Sequence, residues 1–142
     1  MDDECKNLLK DVLTSFLHDP SRFIDDTSVE KLLTWLSTVC SSQEQVQRID
    51  QDWILNFIYD SLTQEKPVVV AFALRLIGIL AVWPSYFQRM EDSKCSNLLN
   101  LVAAMPYQKS WNSASVRDAY FKAAGDLLAY RNSFNWIIAN GM

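Results

Sequence analysis

The stretch Leu76-Ile77-Gly78-Ile79-Leu80, followed by Trp83 and Phe87, has a counterpart 47 residues later. There the chain reads Ala123-Ala124-Gly125-Asp126-Leu127, followed by Tyr130 and Phe134. The same offset pairs Val69 with Val116 and Arg75 with Lys122. Both copies are built of helical material. A repeating helical unit cannot bury its apolar face alone and does so by stacking on its neighbours.

Helical repeats of about 40–47 residues are those of HEAT and armadillo solenoids. We therefore expect an all-α, HEAT/armadillo-like right-handed α-solenoid of about seven helices, forming a single domain over residues 1–142. Solenoids present extended surfaces to partners. A protein-binding scaffold is accordingly the leading function class.

Outward from that stretch, the pattern divides into helices. The run from Pro67 to Trp83 is apolar nearly all round, which marks it as the most central element. Pro67 is well suited to a first helical position. Gly78 inside this helix costs about 1 kcal/mol against Ala, and close approach by a neighbouring helix is the expected return. Upstream, Leu8, Leu9, Val12, Leu13, Phe16 and Leu17 define a first helix over residues 3–18, ended by Asp19-Pro20. Thr27 with Glu30 reads as a capping box for a second helix reaching Cys40. A short turn is expected over 43–49. A third helix then carries Trp53, Ile54, Phe57, Ile58 and Leu62, with Asp50 or Asp52 as its cap.

Downstream, a helical turn is expected over 85–90 and a helix over 93–105, stopped by Pro106. Residues 107–112 read as a loop carrying Tyr107 and Trp111. Ser113 is placed to cap a helix over 114–131. Asn132 is placed to cap a last short helix through Ala139, with Gly141 as its C-terminal cap. Pro20-Ser21 with Phe23 echoes Pro84-Ser85 with Phe87, a third and weaker copy that lacks the glycine. The chain ends on an apolar segment containing Trp136, Ile137 and Ile138, where a natural solenoid end would be polar. From this we expect the N-terminal part of a longer protein.

Composition narrows the function. Residues 1–31 hold eight acids against four bases, and the remainder is neutral. A duplex-binding domain is expected to carry a basic stripe instead, which argues against direct nucleic-acid binding. Three widely spaced cysteines and no secretory signal read as reduced thiols. The apolar run at 68–83 is broken by Arg75 and is shorter than a membrane span of ~20 residues. No membrane association is expected.

Chemistry finds little footing. The single histidine, His18, stands at a helix C-terminus, where a cation suits the helix dipole. No cysteine pair has zinc-site spacing, and no two glycines are close enough for a phosphate-binding loop. We expect no catalytic residue, no metal and no cofactor. The alternative of a small helical enzyme lacks a constellation to support it.

Four residues are candidates for partner binding. Arg75 is the only charge between Pro67 and Trp83 and must reach water or an acid. With its register mate Lys122 it could form a ladder of bases that grips an acidic peptide. The plainer alternative is a solvated ridge, or an internal pair with Asp118 or Asp60. Tyr107 and Trp111 could form an aromatic anchor, or could fold back as a lid on the core.

The first forty residues also carry a family resemblance. Met1-Asp2, Glu4-Cys5, Leu8-Leu9, Asp19-Pro20, Asp25-Asp26-Thr27, Glu30-Lys31-Leu32-Leu33, Trp35 and Thr38-Val39 resemble the start of the BRCA-associated ATM-activator family. The likeness resumes at Phe72, Leu74-Arg75-Leu76, Gly78, Ala81 and Phe87-Gln88, and again over 134–141. This resemblance implies a non-enzymatic HEAT-repeat scaffold of nucleus and cytoplasm, linked to DNA-damage signalling. The partners it implies are ATM-type kinases, the BRCA protein and the Integrator endonuclease module. The last is reached through C-terminal parts not present in this sequence. A purely structural solenoid segment of a nuclear or cytoplasmic transport or adaptor protein is the alternative.

Overall fold

A computed structural model describes residues 3–20, 26–64, 66–92 and 98–128. Every regular element among them is helical, so the described residues are all-α. The α-helices are α1 (Asp3–His18), α2 (Asp26–Val39), α3 (Gln43–Arg48) and α4 (Gln51–Thr63), then α5 (Pro67–Leu80), α6 (Pro84–Glu91), α7 (Leu98–Ala103) and α8 (Ala114–Leu128). Two 3-10 turns, Met105–Tyr107 and Lys109–Asn112, join α7 to α8. That makes eight α-helices in the described residues, against about seven expected over the whole chain. The expected last helix over 132–139 and the Pro20-Ser21-Phe23 echo fall wholly or partly outside them.

The chain divides into two compact units, Met1–Phe57 and Ile58–Met142, with the division inside α4. In the first unit, α1 buries Leu9, Leu13, Phe16 and Leu17, the three-four stripe of the sequence, while Leu8 is exposed. His18 occupies the last turn of α1. α2 buries Leu33 and Leu36 and is followed by buried Cys40. It starts at Asp26, so Thr27 stands in the first turn rather than at the cap, and the residues just before Asp26 lie outside those described. The expected turn over 43–49 is a full short helix.

Asp50 settles the choice of cap for α4. Its Oδ1 accepts the Trp53 backbone N–H at 3.2 Å, satisfying one of the orphan donors of the first turn. Its Oδ2 accepts from the Lys10 ammonium of α1 at 3.0 Å. The same ammonium lies 5.7 Å from the centroid of the Trp53 ring, which stacks on Phe57. One aspartate thus caps a helix and ties it to a helix 40 residues earlier.

In the second unit, α5 begins with Pro67 at its N-terminus and buries nine of its residues, among them Phe72, Leu74, Ile77 and Gly78. The sequence pattern marked it as central, and the burial agrees. It stops at Leu80, three residues before Trp83, because Pro84 starts α6 and its preceding residue Trp83 takes the extended backbone of an N-cap. The principal partner of α5 is α8.

Candidate functional site

The contact of α5 with α8 brings the two sequence copies together. Gly78 lies where it was expected to matter. A Cβ there would come 3.3 Å from the Ala123 Cα and 2.7 Å from Asp126 Oδ2. A side chain there would require the Asp126 carboxylate to turn aside and the Ala123 backbone to give by a few tenths of an ångström, so the two helices approach closely at this glycine. Gly125, its register mate, meets nothing within 4 Å and is exposed. The two glycines are equivalent in sequence but not in surroundings.

The rest of the register behaves in two ways. Val69/Val116, Phe72/Ala119, Ala73/Tyr120, Leu76/Ala123 and Leu80/Leu127 are buried in both copies. These positions recur at three and four and form one stripe of each helix. Arg75 and Lys122 fall outside it. Arg75 is half-buried and already engaged, whereas Lys122 is exposed. α5 therefore surrounds its one charge with more protein than α8 does.

Residues 107–112, read from the sequence as a loop, are largely wound into the two 3-10 turns. Tyr107 is 90% exposed. Trp111 is half-buried, with its ring edge-on to Tyr120 at 5.0 Å and at a steep angle to Phe121 at 6.0 Å. Tyr120 and Phe121 are themselves edge-to-face at 5.4 Å. The Arg117 guanidinium donates to the Trp111 carbonyl at 2.7 Å and fixes the turn to α8. Burial pushes the Tyr120 phenol above its ordinary range. The expected aromatic pair is thus one exposed ring and one packed ring. Sequence reading missed Phe121, which is 62% exposed although its register mate Leu74 is fully buried. Laying the copies side by side identifies the pair, but not which of them is covered.

Among the described residues no group of His, Cys, Asp and Glu is gathered to hold a metal ion. Cys40 is buried and its thiol is pushed up to about 12 by desolvation. Cys5 is half-buried, and Cys95 lies outside the described residues. No helix among the described residues is long and apolar enough to cross a membrane.

Kinship carries the assignment. The family model described as Integrator complex assembly factor BRAT1 matches residues 1–142, the whole chain. The chain belongs to the BRAT1 family. Relatives named Integrator complex assembly factor BRAT1 occur in Mus musculus and Danio rerio. The mouse protein is 28% identical over 99% of this chain. The zebrafish protein is 30% identical over 100% of it. A relative of the same name from Ailuropoda melanoleuca is 25% identical over 96%. The chain spans less than a fifth of the length of these BRAT1 proteins, 17–18% in each case. No solved structure matches it.

Proposed function

We propose that this chain is a non-enzymatic segment of a HEAT/armadillo-like solenoid scaffold that serves Integrator assembly by binding other proteins. The observation that carries this reading is the family match along the whole chain, with relatives named as Integrator assembly factors. An assembly factor acts through contacts, and stacked helical repeats supply long surfaces for them. The burial stripe shared by α5 and α8 at matching register supports the solenoid part of the reading.

Arg75, Lys122, Tyr107 and Trp111 are the proposed partner-binding residues. Lys122 and Tyr107 are the accessible members, and an acidic segment with an apolar neighbour is the complementary chemistry. By the resemblance set out above, ATM-type kinases, the BRCA protein and the Integrator endonuclease module are the proposed partners of the whole protein. The endonuclease module would be met through parts beyond this chain. Nucleus and cytoplasm are the proposed compartments.

A second reading, in which the segment is purely structural, draws support from Trp111. Its packing on Tyr120 and Phe121 gives it a role with no partner present. Affinity capture from nuclear extract separates the two. The bait is the full-length protein, as wild type and with Arg75→Glu and Lys122→Glu together. We expect wild type to retain Integrator subunits and the double variant to lose part of them with unchanged melting. Equal capture by both, or lowered melting with intact capture, would move these residues to the structural role.

A further inference from the structure

Between α7 and α8 the chain puts four consecutive side chains into solvent. Pro106, Tyr107, Gln108 and Lys109 are all exposed, Tyr107 to 90%. The residues on either side, Met105 and Ser110, are 3% and 6% exposed and pin the segment at both ends. Its backbone is wound and bonded. The Tyr107 N–H donates to the Ala104 carbonyl at 3.0 Å, the Gln108 N–H to that of Met105 at 3.0 Å and the Trp111 N–H to that of Gln108 at 3.1 Å. The Arg117 guanidinium closes the far end on the Trp111 carbonyl. Pro106 fixes one further backbone angle. A tyrosine on such a knuckle is already held by its backbone, so little freedom is left to lose when a partner buries its ring.

We infer that Tyr107 is an anchor that enters an apolar pocket on a folded partner protein, with Lys109 pairing with a carboxylate at the rim of that pocket. This rests on the scaffold reading above and narrows it to one kind of partner surface. A side chain that stands clear of its own surface cannot cradle an extended peptide, and it fills a concavity in something else. Tyrosine suits that task, joining a large apolar ring to a hydroxyl that can bond inside the pocket. Charge sets the rim. The whole chain is −4 at pH 7, yet residues 93–117 hold Lys94, Lys109 and Arg117 and no acid. Arg117 is committed to the Trp111 carbonyl, and no ion pair among the described residues engages Lys109. A carboxylate opposite Lys109 complements it, and a basic surface is repelled. Trp111 packs on Tyr120 and Phe121, so it supports the turn and is not the anchor.

Site-specific photo-cross-linking in the full-length protein, expressed in cells, tests this. Benzoylphenylalanine replaces Tyr107, one exposed aromatic ring for another, and linked peptides are read by mass spectrometry. The expected product joins position 107 to a folded domain of an Integrator subunit, at a peptide with aliphatic residues and an Asp or Glu. A link to the same polypeptide, to a second copy or to a lysine- and arginine-rich peptide, or no link at all, would overturn the inference. The linked subunit, purified, is then titrated against variants of the full-length protein. Tyr107→Phe keeps the ring and should bind much as wild type does. Tyr107→Ala and Lys109→Glu should each bind about tenfold more weakly. Melting should not change, because both side chains are exposed. Equal binding by all of them would show that the knuckle lies beside a contact and does not make it. The scaffold reading fails separately. It falls, and the anchor with it, if wild type captures no Integrator subunit from nuclear extract. The anchor alone falls if capture succeeds and Tyr107→Ala leaves it unchanged.

Discussion

Asp50 combines two roles in one side chain. The Lys10 ammonium and the Trp53 N–H both hold its carboxyl below the ordinary range, with the lysine the larger cause. A lowered folded-state value means the charged form favours folding. That contribution is complete above the unfolded carboxylate pKa and is lost as the pH falls through the folded value. Replacing Asp50 by Asn keeps a cap acceptor and removes the titration, so the acid limb of the stability–pH curve should become shallower. Asp50→Ala removes the cap as well, and chemical denaturation should show a loss of about 1 kcal/mol. Cys40 has the opposite sign. Its thiol, pushed up to about 12, favours the folded state below the ordinary thiol range, and this is lost as the pH rises toward that value. Iodoacetamide at neutral pH should therefore label Cys5 well before Cys40, read peptide by peptide. Equal rates would mean that Cys40 is not held in the core. Asp50 was legible from the sequence as one of two caps. Its partner Lys10 was not, because no local pattern announces a contact 40 residues away.

Among the elements, α5 was the most legible and the join between α7 and α8 the least. An apolar helix flanked by prolines leaves little choice of position or burial, and α5 differs from expectation only at its C-terminal end. Residues 107–112 read as a loop because short 3-10 turns have neither helical periodicity nor length. What holds them is ring packing with α8, a tertiary term. Trp111→Ala should remove edge-to-face contacts with Tyr120 and Phe121 and cost about 1–3 kcal/mol, taking two such pairs and their burial together. An unchanged denaturation midpoint would instead free Trp111 for a partner. Gly78 is the sharper case. A valine there drives branched carbons toward the Ala123 backbone, which has no flexible end to move aside. The expected loss is about 1–3 kcal/mol, as for other overpacked cores. A neutral Gly78→Val would mean that α5 and α8 are farther apart than described.

For the molecule as a whole, the candidate site was only half legible, and the reason is physical. The 47-residue register tells which residues are equivalent, but burial depends on what each helix packs against. Arg75 and Lys122, Leu74 and Phe121, Gly78 and Gly125 are each matched in sequence and divided in exposure. Gly125→Ala turns that division into a sign. In the 142-residue chain the added methyl meets nothing within 4 Å. It should gain helix propensity and stabilise by about 0.5–1 kcal/mol. Thermal melting with and without the substitution reads the gain directly. A loss instead would mean that the space beside Gly125 is filled, and that the two glycines share their surroundings as they share their register.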